Sequence, residues 1–235
     1  MHVSLNSRRP PVTGSPVSYD EVSQDTRVLA DGTRITPKPF TISFYRDSAG
    51  RVRTERPVFT SRASGQSSLK VIEISDPVAG VQYVLDPQNH IAYRFPGTAS
   101  APSPVSSPQV KSASVTPPAP PSDTRQSQTT TESLGTEVME GLSVEGRRMT
   151  TVVPVGAMDN DRPITSTCDY WYSRDLATDI VRDCSDPLGG DRTTHFVNIN
   201  RAEPDPALFQ VPPDYQIVDG PADGHVTLKL QLPQP

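Results

Sequence analysis

Residues 160–218 constrain the fold of this chain more than any other stretch. A strand around Tyr170-Trp171-Tyr172, a Ser185-Asp186-Pro187-Leu188-Gly189-Gly190 turn and the run 201–209 (Arg-Ala-Glu-Pro-Asp-Pro-Ala-Leu-Phe) follow one another without interruption. This order predicts an antiparallel sheet closed by an apolar plug, Leu208 and Phe209. Asp205 before Pro206 is an N-cap followed by proline at the first helical position, so one short helical turn is expected there. Val211-Pro212-Pro213 pins the other side, and residues 215–218 read as the last well-marked strand.

The first half reads as a meander. Asp31-Gly32, Asp47-Ser48-Ala49-Gly50, Asp76-Pro77-Val78-Ala79-Gly80 and Asp86-Pro87-Gln88-Asn89 are turn signals between β-branched and aromatic runs. The runs are 40–45, 51–55, 70–75, 81–85 and 91–95. In the second half the expected strands are 137–139, 142–145, 148–153, 164–173, 179–184 and 192–199, and residues 226–232 alternate weakly. Between the halves, eight prolines fall from Pro96 to Pro121, with Ser and Thr filling most of the rest and no aromatic. Such a segment cannot bury enough surface to offset its ordering entropy. The expected organisation is a disordered 1–16, a first half-domain 17–95, a disordered Pro/Ser/Thr-rich insert 96–131, a second half-domain 132–219, and a tail or edge strand 220–235. Both half-domains are expected to share one sheet.

Two short echoes join the halves: residues 32–36 resemble 146–150, and 75–80 resemble 185–190. Asp-Pro-x-x-Gly is common turn chemistry, in which proline fixes φ and glycine supplies positive φ, and that is the simpler account.

Composition excludes several functions. The 27 acidic and 22 basic residues are interspersed, and no Lys/Arg block exceeds a pair, so there is no electrostatic footprint for nucleic acid. No apolar run approaches the ~20 residues of a transmembrane helix. Residues 1–16 lack the apolar stretch of a signal peptide. The chain is therefore cytoplasmic, or its export signal lies upstream. Cys168 and Cys184 bear on that choice. They are symmetric about Leu176, so a hairpin centred there sets them directly opposite, with Tyr172 facing Ile180. Opposed Cβ atoms come within roughly 4.5–5.5 Å, within adjustment of a disulfide. A one-residue slip would leave two unrelated thiols instead. A bridge favours an oxidising compartment.

Catalytic chemistry finds no support. Of four histidines, His2 and His225 lie in tails, His90 follows a turn and His195 sits in a strand, and there is no Gly-x-Ser-x-Gly elbow. Asp159-Asn160-Asp161 clusters oxygen ligands but lacks the spacing and distal Glu of a calcium loop. Asn160, Asp161 and Arg162 read as an exposed hairpin loop, with Pro163 entering the next strand. Trp171 points opposite Tyr170 and Tyr172. Core packing is the simpler account of these aromatics; in a half-barrel, one face would line a ligand cavity.

The stretches 29–35, 45–51, 74–80, 134–141, 160–164 and 201–209 resemble a family of uncharacterised exported proteins of acidobacterial type. More distantly, the order Trp-Tyr strand, glycine turn, strand, Leu-Phe and Val-Pro-x-x-Tyr is similar to the carriers and sensors of bacterial lipoproteins. That resemblance implies a mainly β fold, a single curved antiparallel sheet (an open half-barrel) with at most short helices, and a periplasmic or extracellular location. It implies no enzyme activity and no cofactor or metal. The expected function is a non-catalytic extracytoplasmic binding or sensor module whose sheet holds an apolar ligand or a protein partner's segment. The alternatives are a structural or interaction protein of the cell envelope, and a hydrolase with an unrecognised site.

Overall fold

Aspartate side chains close the turns of this chain. Asp31 accepts from the Thr33 amide at 2.9 Å, Asp76 from Val78 and Ala79 at 2.9 Å each, and Asp186 from Leu188 at 2.9 Å. Asp86 takes the amides of Gln88 and Asn89, and Asp47 that of Arg51 at 2.8 Å. Each carboxylate ties up nearby turn amides, at the Asp31 and Asp47 turns in addition to backbone bonds, and so helps to fix where the chain reverses.

The computed structural model describes residues 2–4, 11–57, 70–97, 126–222 and 224–228. Its strands are β1 (His2–Ser4), β2 (Val17–Val28), β3 (Arg34–Ile35), β4 (Phe40–Arg46) and β5 (Val52–Pro57). They continue as β6 (Lys70–Asp76), β7 (Val81–Asp86), β8 (Ile91–Pro96), β9 (Gln128–Met139) and β10 (Leu142–Val153). The last are β11 (Ile164–Ser173), β12 (Thr178–Asp186), β13 (Gly190–Asn200), β14 (Gln216–Asp219) and β15 (His225–Thr227). The main sheet has the order β14-β8-β7-β6-β5-β4-β2-β13-β12-β11-β10-β9, with β3 on β2. Its terminal strands β14 and β9 do not pair with each other, so the fold is mainly β with one open sheet, as the sequence predicts. Helix among the described residues is limited to the turn Pro206–Phe209.

Several expectations need correction. The main sheet is not wholly antiparallel, because β14 runs parallel to β8. Residues 2–4, expected to be disordered, form β1, which pairs with β15 in a separate two-stranded sheet. The second half begins at Gln128, not Glu132, because Thr129, Thr130 and Thr131 pair with Thr151, Thr150 and Met149. Residues 98–125 of the insert lie outside the described residues. Strand β10 is continuous through Gly146, where a break was expected.

The contacts divide the chain into two compact units. The first draws on residues 1–25, 35–100 and 194–235, the second on 26–34 and 101–193.

In the first unit, strand alternation sorts side chains onto two faces. Val71, Val84 and Phe95 lie on one, packed with Val226 and Leu228 and flanked by Tyr93. Ile74, Leu85 and Ala92 lie on the other, with Ile72 and Tyr83, and are covered by Val211 and Tyr215. The turn Pro206–Phe209 sits against β5 and β6 on this second face. Asp205 caps it by accepting from the Ala207 amide at 2.9 Å. The Arg53 guanidinium donates to the Leu208 carbonyl at 3.0 Å, and Arg51 lies 5.3 Å from the centre of the Phe209 ring. Phe209 is 4% exposed and Leu208 half-buried. Phe209→Ala should therefore cost about 3–5 kcal/mol. Urea denaturation measures it, and an unchanged midpoint would mean that the ring carries no packing energy.

In the second unit, Cys168 and Cys184 are directly opposed and bridged, with Cα atoms 4.1 Å apart. The expected register holds from Thr167 to Trp171 and then shifts by one. Tyr172 faces Asp179 rather than Ile180, because a bulge falls between Trp171 and Tyr172. The extra residue, Ile180, is fully buried, so burial of its side chain accounts for the irregularity. Replacing both cysteines by serine should lower stability by about 3 kcal/mol for a loop of this length in the chain-entropy model. The difference between wild-type and double-variant denaturation curves reads this directly.

Candidate functional site

Directly opposed residues of neighbouring strands share a face, so the pairing assembles a row across the first unit. Tyr19 faces Phe44, Phe44 faces Thr54, Thr54 faces Glu73, Glu73 faces Val84, and Val84 faces Tyr93. Phe196 of β13 extends the row. The Tyr19 ring stacks on Phe196 at 4.1 Å and 11°, and on Phe44 at 4.7 Å and 16°. Tyr19 and Phe44 are only half-buried, whereas Phe196 is buried. Near this stack, the buried hydroxyls of Ser23 and Thr194 lie 2.9 Å apart and tie β2 to β13.

Midway along the row, Glu73 forms an ion pair with Arg56. Burial pushes the Glu73 carboxyl above its ordinary value, and attraction to Arg56 only partly offsets this. On the opposite face, charged and polar groups flank the cluster of Ile74, Leu85 and Ala92. Asp20 accepts from Ser43 Oγ at 2.8 Å and Asn198 Nδ2 at 2.9 Å, and Glu55 pairs with Arg53 and Lys70. Burial pushes Glu55 up as well, but the Lys70 and Arg53 hydrogen bonds outweigh it and hold the carboxyl below its ordinary value. The aromatic face therefore carries the less well-compensated carboxylate.

The second unit carries a different surface. Arg147 faces Tyr170, which faces Arg182, and the two guanidiniums lie 4.8 and 5.7 Å from the Tyr170 ring centre. Arg147 also pairs with Asp179 at 3.1 Å. Beside it an open pocket of about 330 Å³ is lined by Thr131, Glu132, Ser133, Glu145, Arg147 and Tyr172, among others. The residues that line it are mostly polar or charged. Trp171 lies on the other face against Gly146, where a Cβ would come within 2.6 Å of its ring.

Asn160, Asp161 and Arg162 occupy the 154–163 loop. Asp161 and Arg162 are exposed, but the Asn160 side chain is spent on the loop itself. Its Nδ2 donates to the carbonyls of Pro154 and Arg162, and its Oδ1 accepts from the Met158 amide. Among the described residues no group of three or more His, Cys, Asp or Glu could hold a metal. His90 pairs with Asp214 at 2.8 Å and stacks on Tyr215. Tyr19, Phe44 and Phe196 were not singled out by the sequence. Each reads as an ordinary strand aromatic, and their meeting depends on a β2–β13 pairing some 170 residues apart.

No family model matches the chain, and no curated protein does. Solved structures do. The MucA/MucB complex of Pseudomonas aeruginosa is 12% identical at a TM-score of 0.41, over 87% of this chain and 58% of that chain. LprF from Mycobacterium bovis is 10% identical at 0.33, over 82% of this chain and 90% of that chain. A LolA superfamily protein from Nitrosomonas europaea is 10% identical at 0.31, over 85% and 92%. The chain spans about three fifths of the length of the MucB structures it matches.

Glu73 generates a pH prediction. Its folded value is raised, so the folded chain takes up this proton at a higher pH than the unfolded chain. The group's contribution to stability therefore grows as pH falls from neutral through the folded value, and is complete below the ordinary glutamate value. Glu73→Gln should flatten that part of the profile, measured as thermal midpoint between about pH 7 and about pH 4. Parallel wild-type and variant profiles would refute a penalty on ionised Glu73.

Proposed function

We propose that this chain is a non-catalytic extracytoplasmic binding module that holds an apolar, acyl-bearing ligand on the face carrying Phe44, Tyr19 and Phe196. The stack of half-buried Tyr19 and Phe44 on buried Phe196 is the observation that carries this reading. Near-parallel rings in one row form an apolar platform that a ligand can cover without reorganising the backbone, and rigid aromatic surface loses little entropy on binding. The half-buried Arg56–Glu73 pair bounds the platform and supplies a polar group that orients a ligand, as apolar sites with few polar groups do. The Cys168–Cys184 bridge supports an oxidising compartment.

Native mass spectrometry of protein purified from its own host should find a retained lipid. Thr54→Trp, which places an indole in the row next to Phe44, should weaken binding of a fluorescent long-chain fatty acid by about tenfold, or ~1.4 kcal/mol. Absence of both a retained lipid and saturable fatty-acid binding would overturn the proposal.

A further inference from the structure

One charged group of the first unit is buried without a counter-charge. Arg46, the last residue of β4, is only 8% exposed. Its Nε donates to the Ser15 carbonyl at 2.9 Å, and among the described residues no carboxylate pairs with it. Asp47, next in sequence, is taken by the amide and guanidinium of Arg51. The half-buried cations of this unit, Arg51, Arg53 and Arg56, all have carboxylate partners, so the most buried cation is the one that lacks a partner. Burial pushes the Arg46 guanidinium below its ordinary value, and the neighbouring Tyr19 phenol works in the other direction. A guanidinium does not shed its proton to escape burial, and a buried charge is costly unless it is paired.

Strand alternation puts this cation on the face of the aromatic platform. Arg46 lies two residues beyond Phe44 on β4, and its opposed partner Val17 lies two before Tyr19 on β2. Its opposed neighbours on the two flanking strands, Val17 and Val52, are both apolar, so the surroundings give a structural cation nothing to bind. Arg56 also borders the platform, but it is committed to Glu73. Of the five N–H donors of a guanidinium, the structure uses the one on Nε. The Nη groups are not enclosed, so a small anion can reach them. Their planar fork matches the paired oxygens of a carboxylate or phosphate.

We propose that Arg46 is the head-group site of this face, where its Nη groups hold the carboxylate or phosphate of an anionic acyl ligand whose chain lies over Phe44, Tyr19 and Phe196. This rests on the function proposed above and adds the ligand's charge and its orientation. The anion supplies the counter-charge that the fold leaves out, so binding offsets a desolvation already incurred on folding. A neutral ligand with the same chain leaves the cation unpaired and covers it further, which selects against uncharged lipids.

Calorimetric titration of the full-length protein with dodecanoate, dodecyl phosphate and dodecan-1-ol tests it. Wild type should bind both anions about tenfold more tightly than the alcohol. In Arg46→Met the three affinities should come within about twofold of one another. The thermal midpoint of the unliganded variant should stay at or above that of wild type, because the substitution strands no carboxylate. A purely structural arginine would instead lower the midpoint and leave the preference intact. Should the variant not fold, amide resonances of wild type decide: replacing the alcohol by dodecanoate should shift Ser15 and Arg46 more than Arg56 and Glu73. Equal binding of anions and alcohol by wild type, a preference that survives Arg46→Met, or shifts centred on Arg56 would overturn the proposal and leave the proposed function standing. Inorganic phosphate that binds as tightly as dodecyl phosphate would also overturn it, since the site would then hold a free anion. Should no dodecyl ligand bind wild type, the proposed function fails. Inorganic phosphate that raises the midpoint of wild type but not of Arg46→Met would then keep an anion site at Arg46, and phosphate without that effect would remove it too.

Discussion

Strand register is the constraint on which the rest of this molecule depends, because a slip of one residue would exchange the two faces of a strand. In the first unit the register is set twice over. Each face of β6, β7 and β8 packs into its own cluster, Val71, Val84 and Phe95 on one and Ile74, Leu85 and Ala92 on the other, and the carboxylates of Asp76 and Asp86 fix where the chain reverses. The far end of the second unit has no such pattern. Thr129–Thr131, Thr150, Thr151 and Thr165–Thr167 leave both faces polar and part-exposed there. Covalent and ionic ties take over. The Cys168–Cys184 bridge locks β11 to β12, and Arg148 grips Asp169 through two hydrogen bonds of 2.7 and 2.6 Å between β10 and β11. The Arg148–Asp169 pair is partly solvated and contributes little to stability, but it is incompatible with a shifted register.

Turns and strands were legible because their signals are local. The aspartates of the expected turns act through their own neighbouring amides, and Asp205 caps the helical turn as its spacing implies. The two echoes between halves separate on the same ground. Asp76–Gly80 and Asp186–Gly190 are both carboxylate-closed turns ending in a glycine of positive φ, 65° and 91°. Gly32 also has positive φ, but its counterpart Gly146 lies inside a strand beneath Trp171. Shared turn chemistry explains the first echo, and the second has no structural content. What the sequence did not disclose is non-local. Gly146 reads as a strand break until its indole neighbour is known, and the symmetric hairpin about Leu176 hides a bulge that exists because Ile180 finds a buried place. The aromatic row was illegible for the same reason, since Tyr19 meets Phe196 only after the whole chain has folded between them.

The two faces of the first unit also treat charge differently. On the face covered by Val211 and Tyr215, Glu55 has two cationic partners, which outweigh its desolvation. On the aromatic face, Glu73 has only Arg56, and desolvation wins. A half-compensated carboxylate among apolar groups is a poor stabilising device, because replacing such a pair with apolar side chains is often neutral or better. Removing Arg56 alone would leave the Glu73 carboxylate without its cation in this half-buried position.

The C-terminal segment solves an edge problem for the same unit. Left alone, β8 would present an unpaired edge, and exposed edges invite pairing with other chains. Residues 201–228 wrap around it instead. Glu203 first anchors the segment to the 47–50 turn by accepting from the Ser48 amide and hydroxyl. Phe209, Val211 and Tyr215 then cover one face, β14 pairs with β8 in parallel, and Val226 and Leu228 cover the other face. A parallel partner is what this route requires, since the segment must cross the sheet end before turning along its edge. Hydrogen bonds from Glu203, Arg53 and Asp205 fix the first part of the wrap and the β8 ladder fixes the second. In the third part Val226 and Leu228 are buried against Val71, Val84 and Phe95. The wrap therefore covers both faces of the sheet end as well as its edge.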